Sequence, residues 1–254
     1  MRNLFFKIWY WFISTVDKNA EIIFMNFGYS NPDIQPVLKE KDEKNRYPAQ
    51  LYHLTVHQRD LKDKDILEVG CGRGGGLSYI NRYFGPKTVT GIDLNQKAVK
   101  FCSSYYKNEG NNRFFQADAQ KLPFENESFD VVLNVESSHR YPDPVKFLNE
   151  VKRVLKPGGY FSFVDFRYDY ELEEMDRQLT GTGMKLIVKQ TITPNVVDAL
   201  SKMSTERSEQ VRKFLPKFLH KIGKNFAAVE GTETYNNFKD GKYEYMHYVF
   251  EKQF

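Results

Sequence analysis

Asp65-Ile66-Leu67-Glu68-Val69-Gly70-Cys71-Gly72-Arg73-Gly74-Gly75 is the stretch on which the reading of this chain turns. Asp65–Val69 has the length and apolar content of a buried strand, and residues 74–84 that follow have helical spacing. Glycines between a strand and a helix allow a tight turn. They also let backbone N–H groups approach a ligand with no Cβ in the way. Gly70, Gly72 and Gly75 satisfy G-x-G-x-x-G, which alone is a weak fingerprint; the plain alternative is a tight turn that holds nothing.

The same alternation continues outward. Apolar runs at 88–92, 113–116, 129–134 and 160–165 read as further buried strands. Residues 95–106 and 144–155 have helical spacing, the latter with Val145, Leu148, Val151, Val154 and Leu155 on one face. Strands alternating with helices at this pitch imply βαβ units and a parallel sheet with right-handed crossovers. Lys156-Pro157-Gly158-Gly159 ends a helix and turns into the next strand. Residues 184–191 and Tyr243–Glu251 read as closing strands. Between them Thr193 reads as an N-cap with Pro194 at the first helical position, and Pro216 breaks the helical spacing that runs on to Phe226. The expectation is one α/β domain over 1–254: an aromatic, helical lid at 1–60, a ligand-binding core at 61–168, and helices inserted before the last strand within 169–254.

Acids mark the ends of successive strands, and they separate the possible ligands. Glu68 lies two residues before the first glycine, where it would repel a pyrophosphate but suits a ligand with a cationic amine and sulfonium. Asp93, in Gly91-Ile92-Asp93-Leu94, falls 21 positions after Gly72, where it can grip ribose hydroxyls. Asp118, in Gln116-Ala117-Asp118-Ala119, follows the third strand and can accept from an exocyclic amine of adenine. Three carboxylates at three strand ends describe a site for an adenosyl cation.

EVGCGRGGG, GIDLN, ADAQKLPF, SFDVVLN and LKPGG together resemble the motif series of class I S-adenosylmethionine-dependent methyltransferases, over about residues 61–168. Asn26-Phe27-Gly28-Tyr29, Gln50-Leu51-Tyr52-His53, Gly231-Thr232 and the Tyr-rich C-terminus are similar to the phthiotriol/phenolphthiotriol dimycocerosate methyltransferase subgroup, which O-methylates a hydroxyl on a long-chain lipid. The resemblance implies a Rossmann-like seven-stranded sheet and S-adenosyl-L-methionine as cofactor. Under it Glu68, Gly70 and Gly72 would line the methionine end, and Asp93, with Leu94, would bind the ribose. Asp118 and Ala119 would flank the adenine, Asn134 would contact the methionine moiety, and Tyr29 would match a lid tyrosine.

Methylating an alcohol requires a base beside the transferred methyl group. Of five histidines, His139 in Glu136-Ser137-Ser138-His139-Arg140-Tyr141 directly follows the fourth strand, at the sheet edge where α/β proteins bind ligands. Asp165, at the end of the fifth strand, is the natural partner to fix its tautomer. His139 could instead only shape its loop, or hydrogen-bond the acceptor without taking a proton. His53 and His57 share a helix face, but nothing resembles H-E-x-x-H and no metal is expected. Cys71 sits inside the glycine loop, where packing is the expected role, and two cysteines favour a reducing, cytoplasmic setting.

The 254 residues carry 37 Lys+Arg, 33 Asp+Glu and an aromatic share of 15%, which excludes a disordered chain and leaves a net charge of only +4. That charge is local. Residues 201–225 hold seven basic residues against two acidic ones, together with a Phe/Leu/Ile stripe. This is either a solvated helix packed by its stripe or a cover that approaches an anionic membrane; no base-reading module points to nucleic acid. Residues 4–13 (LFFKIWYWFI) are too short to span a bilayer and poor as a signal peptide. They could dock on the core, cover an apolar substrate or touch a membrane. The leading expectation is O-methylation of a hydroxyl on an apolar small molecule or lipid. The alternatives are N- or C-methylation of a phosphobase, sterol or quinone, or a catalytically silent cofactor-binding scaffold.

Overall fold

Continuous burial along the central strands and helical spacing between them build one sheet covered on both faces. A computed structural model describes Asp17 and residues 19–254, so the apolar stretch at 4–13 lies outside the described residues. The strands are β1 (Asp65–Val69), β2 (Thr88–Asp93), β3 (Asn112–Gln116), β4 (Phe129–Val135), β5 (Leu155–Tyr168), β6 (Lys185–Thr191) and β7 (Tyr243–Glu251). They pair in the order β3-β2-β1-β4-β5-β7-β6. β2, β1, β4 and β5 pair in parallel, as do β2 and β3, whereas β7 runs antiparallel to both its neighbours. This is the expected Rossmann-like seven-stranded sheet.

Alternate residues of each strand feed two cores. Ile66, Val131, Leu133 and Val164 join the helix Arg46–Val56 and the helix Gly75–Phe84 in one cluster. Leu67, Val69, Val132, Phe161 and Phe163 join the helix Pro144–Val154 and the helix Leu172–Thr180 in the other. Such two-sided burial explains why these strands read as unbroken apolar runs.

The insertion before the last strand consists of the helices Thr193–Lys202, Ser204–Phe214, His220–Phe226 and Glu233–Lys239. Pro216 separates the second from a short 3-10 turn at Lys217–Leu219, as a proline must. Thr193 begins the helix rather than capping it, because its hydroxyl is drawn to β7. Its Oγ1 donates to Glu244 Oε2 at 2.7 Å and accepts the Tyr245 N–H at 2.8 Å.

In the N-terminal zone the described helical turns fall at Glu40–Asn45 and Arg46–Val56, while residues 20–39 follow an irregular path. This strap is anchored by named contacts rather than by its own hydrogen-bond ladder. The Arg73 guanidinium donates to the backbone oxygen and to Oδ2 of Asp17, at 3.0 and 3.1 Å. Asp17 in turn accepts the N–H groups of Glu21 and Ile22. The Gly75 N–H donates to Ile23 O at 3.2 Å, and a Cβ on Gly75 would meet that oxygen at 2.6 Å. The glycine loop therefore grips the strap directly, with no room for a larger residue.

Candidate active site

The order of the strands reverses between β1 and β4, and β1 and β4 end together at that point. Chains diverging there open a crevice, which is where open α/β sheets take their ligands. A cavity of about 560 Å³ lies above it, lined by Gly70, Gly72, Asp93, Leu94, Asp118 and Ala119 among others, and roofed by Ile23, Phe24, Met25 and Asn26 of the strap. Six of the expected cofactor residues thus come together.

The glycine loop owes its form to β2. The N–H groups of Gly70 and Cys71 donate to Ile92 O at 2.8 and 2.9 Å, and the Gly72 N–H donates to Asp93 Oδ2 at 2.9 Å. Gly70 and Gly72 have φ of +81° and +53°, in the left-handed region. A Cβ on Gly70 would lie 1.9 Å from Ser137 Oγ, and one on Gly72 would lie 3.3 Å from Met25 Sδ. Asp93 keeps lone pairs beyond its two backbone bonds. Burial raises its carboxyl above the usual range, against the bonds from the Asn95 and Gly72 N–H groups, which lower it. Asp118 stands at the far end of the cavity and accepts the Gln120 N–H at 2.9 Å.

Glu68 and Asn134 take a different place. Both are fully buried beneath the loop and do not face the cavity. Glu68 Oε1 accepts the Tyr52 hydroxyl at 2.6 Å. Asn134 donates to Val69 O at 2.8 Å and to the Tyr141 hydroxyl at 3.1 Å. Glu68 Oε2 and Asn134 Oδ1 remain buried with no donor among the described residues. Orphaned acceptors are costly, but these two are closed off from the cavity, so the glycine cradle and the Asp93 carboxylate, which do line it, carry the fit to a ligand. Burial pushes the Glu68 carboxyl up to about 8; the Tyr52 hydroxyl opposes this and the charge of Asp93 adds to it.

Tyr29 departs from expectation. It is buried in the core with its hydroxyl accepting from Asn31 Nδ2 at 3.0 Å, and it lines neither cavity. Gly28, at φ +84°, turns the chain inward just before it, so Phe24 and Met25 hold the lid position instead.

A second cavity, of about 380 Å³, abuts the first. The two share Ile23, Phe24, Met25, Asn26, Glu136 and Arg140 as common wall. Its far side is apolar, with Phe166, Met203, Val211, Phe214, Leu215, Ile222 and Phe226. Phe27 and Phe166 meet at 5.6 Å between ring centroids, and each packs on Phe238 at 5.3 Å.

His139 lines this second cavity, and the structure joins it to Asp165 as expected. His139 Nδ1 and Asp165 Oδ1 are 2.7 Å apart. Asp165 Oδ2 accepts the Ser138 hydroxyl at 2.6 Å and the His139 N–H at 3.0 Å, and lies 3.2 Å from the Arg167 guanidinium. These donors keep Asp165 ionised although burial alone would neutralise it. Burial lowers the affinity of His139 for a second proton, the guanidinium charges of Arg140 and Arg167 add to that, and Asp165 only partly offsets it. His139 is therefore a neutral imidazole with Nδ1–H given to Asp165, and Nε2 is its basic nitrogen. Arg140 Nε donates to that nitrogen at 2.9 Å. Asp165 is fully buried behind the ring and orients it without facing the cavity.

Sequence reasoning missed Glu136 on the shared wall and Arg207 on the acceptor side of it. Glu136 follows β4 within the same segment as His139, and its φ of +47° is unusual for a side chain other than glycine. Only its place at a strand C-terminus hinted at a role. Arg207 comes from the inserted helix Ser204–Phe214 and donates to Asn26 O and Ala227 O, each at 2.8 Å. Nothing in the local sequence signals that reach. His53 and His57 do share one helix face, with rings stacked at 5.3 Å, and His53 Nδ1 meets the Tyr79 hydroxyl at 2.8 Å. Cys71 is buried beside Cys102, and its thiol is pushed far up.

Comparison with known proteins settles the family. The methyltransferase domain family matches residues 67–163. The phthiotriol/phenolphthiotriol dimycocerosates methyltransferase of Mycobacterium tuberculosis (strain ATCC 25618 / H37Rv) is 40% identical over 247 residues, covering 97% of this chain and 91% of that protein. The chain belongs to the class I S-adenosylmethionine-dependent methyltransferases. S-adenosylmethionine is its cofactor, and the glycine cradle with the Asp93 carboxylate beside it fits that molecule. The fatty-acid O-methyltransferase of Mycolicibacterium smegmatis (strain ATCC 700084 / mc(2)155) is 40% identical over 236 residues, covering 92% of this methyltransferase and 85% of that one. The fold is shared with a putative sarcosine dimethylglycine methyltransferase from Galdieria sulphuraria, at 16% identity and a TM-score of 0.74 over 94% of this chain and 98% of that one.

Proposed function

We propose that this methyltransferase moves a methyl group to a hydroxyl on an apolar small molecule or lipid, with His139 as the base and Asp165 as its positioning partner. The supporting observation is the wall shared by the two cavities, with His139 on the acceptor side of it. S-adenosylmethionine, when bound, supplies a methyl group on a positively charged sulfur. The chain must hold the acceptor in line with that methyl, exclude water and take up one proton. The phenylalanine cluster and the strap shield the junction from solvent. Asp165 holds the imidazole so that Nε2 can accept the hydroxyl proton, and an acceptor hydroxyl at Nε2 takes the place of the Arg140 N–H. The imidazolium that forms is stabilised by the Asp165 carboxylate. An apolar acceptor fits the aromatic lining, and both relatives named above carry lipid acceptors in their names.

A second reading has its own observation. Arg140, Arg167 and Arg207 all line the acceptor cavity, and three guanidinium groups suit a fatty-acid carboxylate. A carboxylate needs no base. Assaying S-adenosylhomocysteine formation with long-chain alcohols, long-chain diols and fatty acids separates the two. Turnover confined to hydroxyl acceptors supports the first reading, and turnover of carboxylates that survives His139→Ala supports the second. Acceptor delivery fits a membrane surface: Lys217, Phe218, Lys221 and Ile222 are exposed on one short stretch, Phe218 at 81%, and Ile222 also lines the acceptor cavity.

A further inference from the structure

Glu136 is the carboxylate among the described residues of the shared wall, where a negative charge can follow the reaction. The methyl group passes from one cavity to the other, so the sulfur that carries it must lie at their junction, and Glu136 lines both sides of that junction. Its Oε1 is fully engaged: it accepts the Phe27 N–H of the strap at 2.5 Å and the Tyr245 hydroxyl of β7. Its Oε2 takes no donor among the described residues. The backbone fixes the side chain there at some cost, since Glu136 holds a left-handed φ while its N–H donates to Val164 O at 2.8 Å.

We propose that Glu136 is the counter-charge for the cationic sulfur of S-adenosylmethionine, and that its ionisation lets this protein tell the charged cofactor from its neutral product. The groups facing it define its resting state. Tyr245 on β7 and the Phe27 N–H on the strap favour the carboxylate. Asp165 on β5 opposes it. Arg207, on the inserted helix, favours it, Arg140 shares the wall with it, and neutral His139 contributes no charge. Burial outweighs the donors and pushes the carboxyl up to about 8. At neutral pH the free protein therefore holds Glu136 largely protonated. A positive charge within a few ångström pulls a carboxyl down by about one to three pH units. Glu136 then gives its proton to solvent as the cofactor binds, and takes one back from solvent once the charge on sulfur is gone. Product binding gains nothing from a protonated Glu136, so the side chain favours charged cofactor over neutral product. This rests on the cofactor assignment and not on the identity of the acceptor or the base.

Calorimetric titration of S-adenosylmethionine and of S-adenosylhomocysteine into the wild-type protein tests it, between about pH 6.5 and 9. The expected result is a ratio of dissociation constants, product over cofactor, that rises about tenfold as pH climbs toward 8 and then levels. The amine common to both ligands cancels in that ratio. In two buffers of different ionisation enthalpy, cofactor binding near pH 7 should release a fraction of a proton beyond that released by the product. Glu136→Gln keeps an oxygen for Tyr245 and Phe27, and should flatten the ratio and abolish the extra proton. Glu68→Gln should leave the ratio rising. A flat wild-type ratio with no extra proton overturns the proposal, as does an unchanged slope in Glu136→Gln. Failure of either ligand to bind wild-type protein would instead overturn the cofactor assignment.

Discussion

His139 and Gly70 show how much one side chain, or its absence, decides at this site. Removing the imidazole with His139→Ala should lower turnover of a hydroxyl acceptor by roughly 100-fold when proton removal limits the rate, with cofactor affinity unchanged. The pH dependence has a definite sign. Burial and two guanidinium groups lower the proton affinity of His139 below that of a free imidazole. Its base form therefore persists as pH falls past 6.5, and the acid limb of kcat/KM for the acceptor, at saturating S-adenosylmethionine, should lie below that value. A limb above it would place the titrating base elsewhere. Gly70→Ala puts a Cβ at φ +81°, 1.9 Å from Ser137 Oγ and 2.8 Å from the Tyr141 hydroxyl. Strain and overlap together should cost about 1–3 kcal/mol in urea unfolding, and calorimetry should show weakened cofactor binding. Both residues were legible in the sequence, because a glycine loop and a strand-end histidine carry local signatures. Glu136 was not, since its importance comes from a wall that two distant segments complete.

At the scale of elements, the strap behaves as a separately fastened piece. Its described start is held by the Arg73–Asp17 pair, in which both side chains are fully buried, with the Arg73 guanidinium also 3.8 Å from the Phe101 ring centroid. Asp17→Ala removes the carboxylate from a buried guanidinium and frees the Glu21 and Ile22 N–H groups. That should cost about 3–5 kcal/mol in chemical denaturation. Because the strap roofs the cofactor cavity, the same variant should weaken cofactor binding, a coupling that calorimetry reads. Strand and helix positions followed from short apolar runs and helical spacing, and the first four motif strands fall within a residue of where the sequence put them. β5 starts at Leu155 rather than at residue 160, because Lys156-Pro157-Gly158-Gly159 is already extended and the Gly158 N–H donates to Lys252 O at 2.7 Å. The aromatic part of the strap before the polar loop at 31–46 was read as helical, and aromatic content alone does not distinguish a helix from an extended path. Thr193 likewise looked like a cap until β7 supplied a better partner for its hydroxyl.

For the molecule as a whole, an apolar acceptor has to pass from a membrane or carrier into the acceptor cavity, whose apolar side includes Ile222. No helix among the described residues is long and apolar enough to cross a membrane. The exposed Lys217, Phe218, Lys221 and Ile222 suggest interfacial docking, so the protein should sediment with vesicles containing anionic lipid. Lys217→Glu with Lys221→Glu should release it, since each lysine near such a surface contributes about 1 kcal/mol, and added salt should weaken binding. Sedimentation that ignores both salt and charge reversal would return this segment to an ordinary solvated helix.

By itself the sequence determined the sheet, the glycine cradle, the acids at the strand ends and the family, because each is written in residues close together along the chain. Only tertiary structure decided which of them face the ligand. Glu68 and Asn134 lie beneath the loop and Tyr29 turns into the core, while Glu136 and Arg207 each reach the strap from more than a hundred residues away, through the Phe27 N–H and the Asn26 carbonyl. Local periodicity reports which face of an element is buried. Where two buried faces leave a gap between them depends on how the elements pack, and that information is spread over the whole chain.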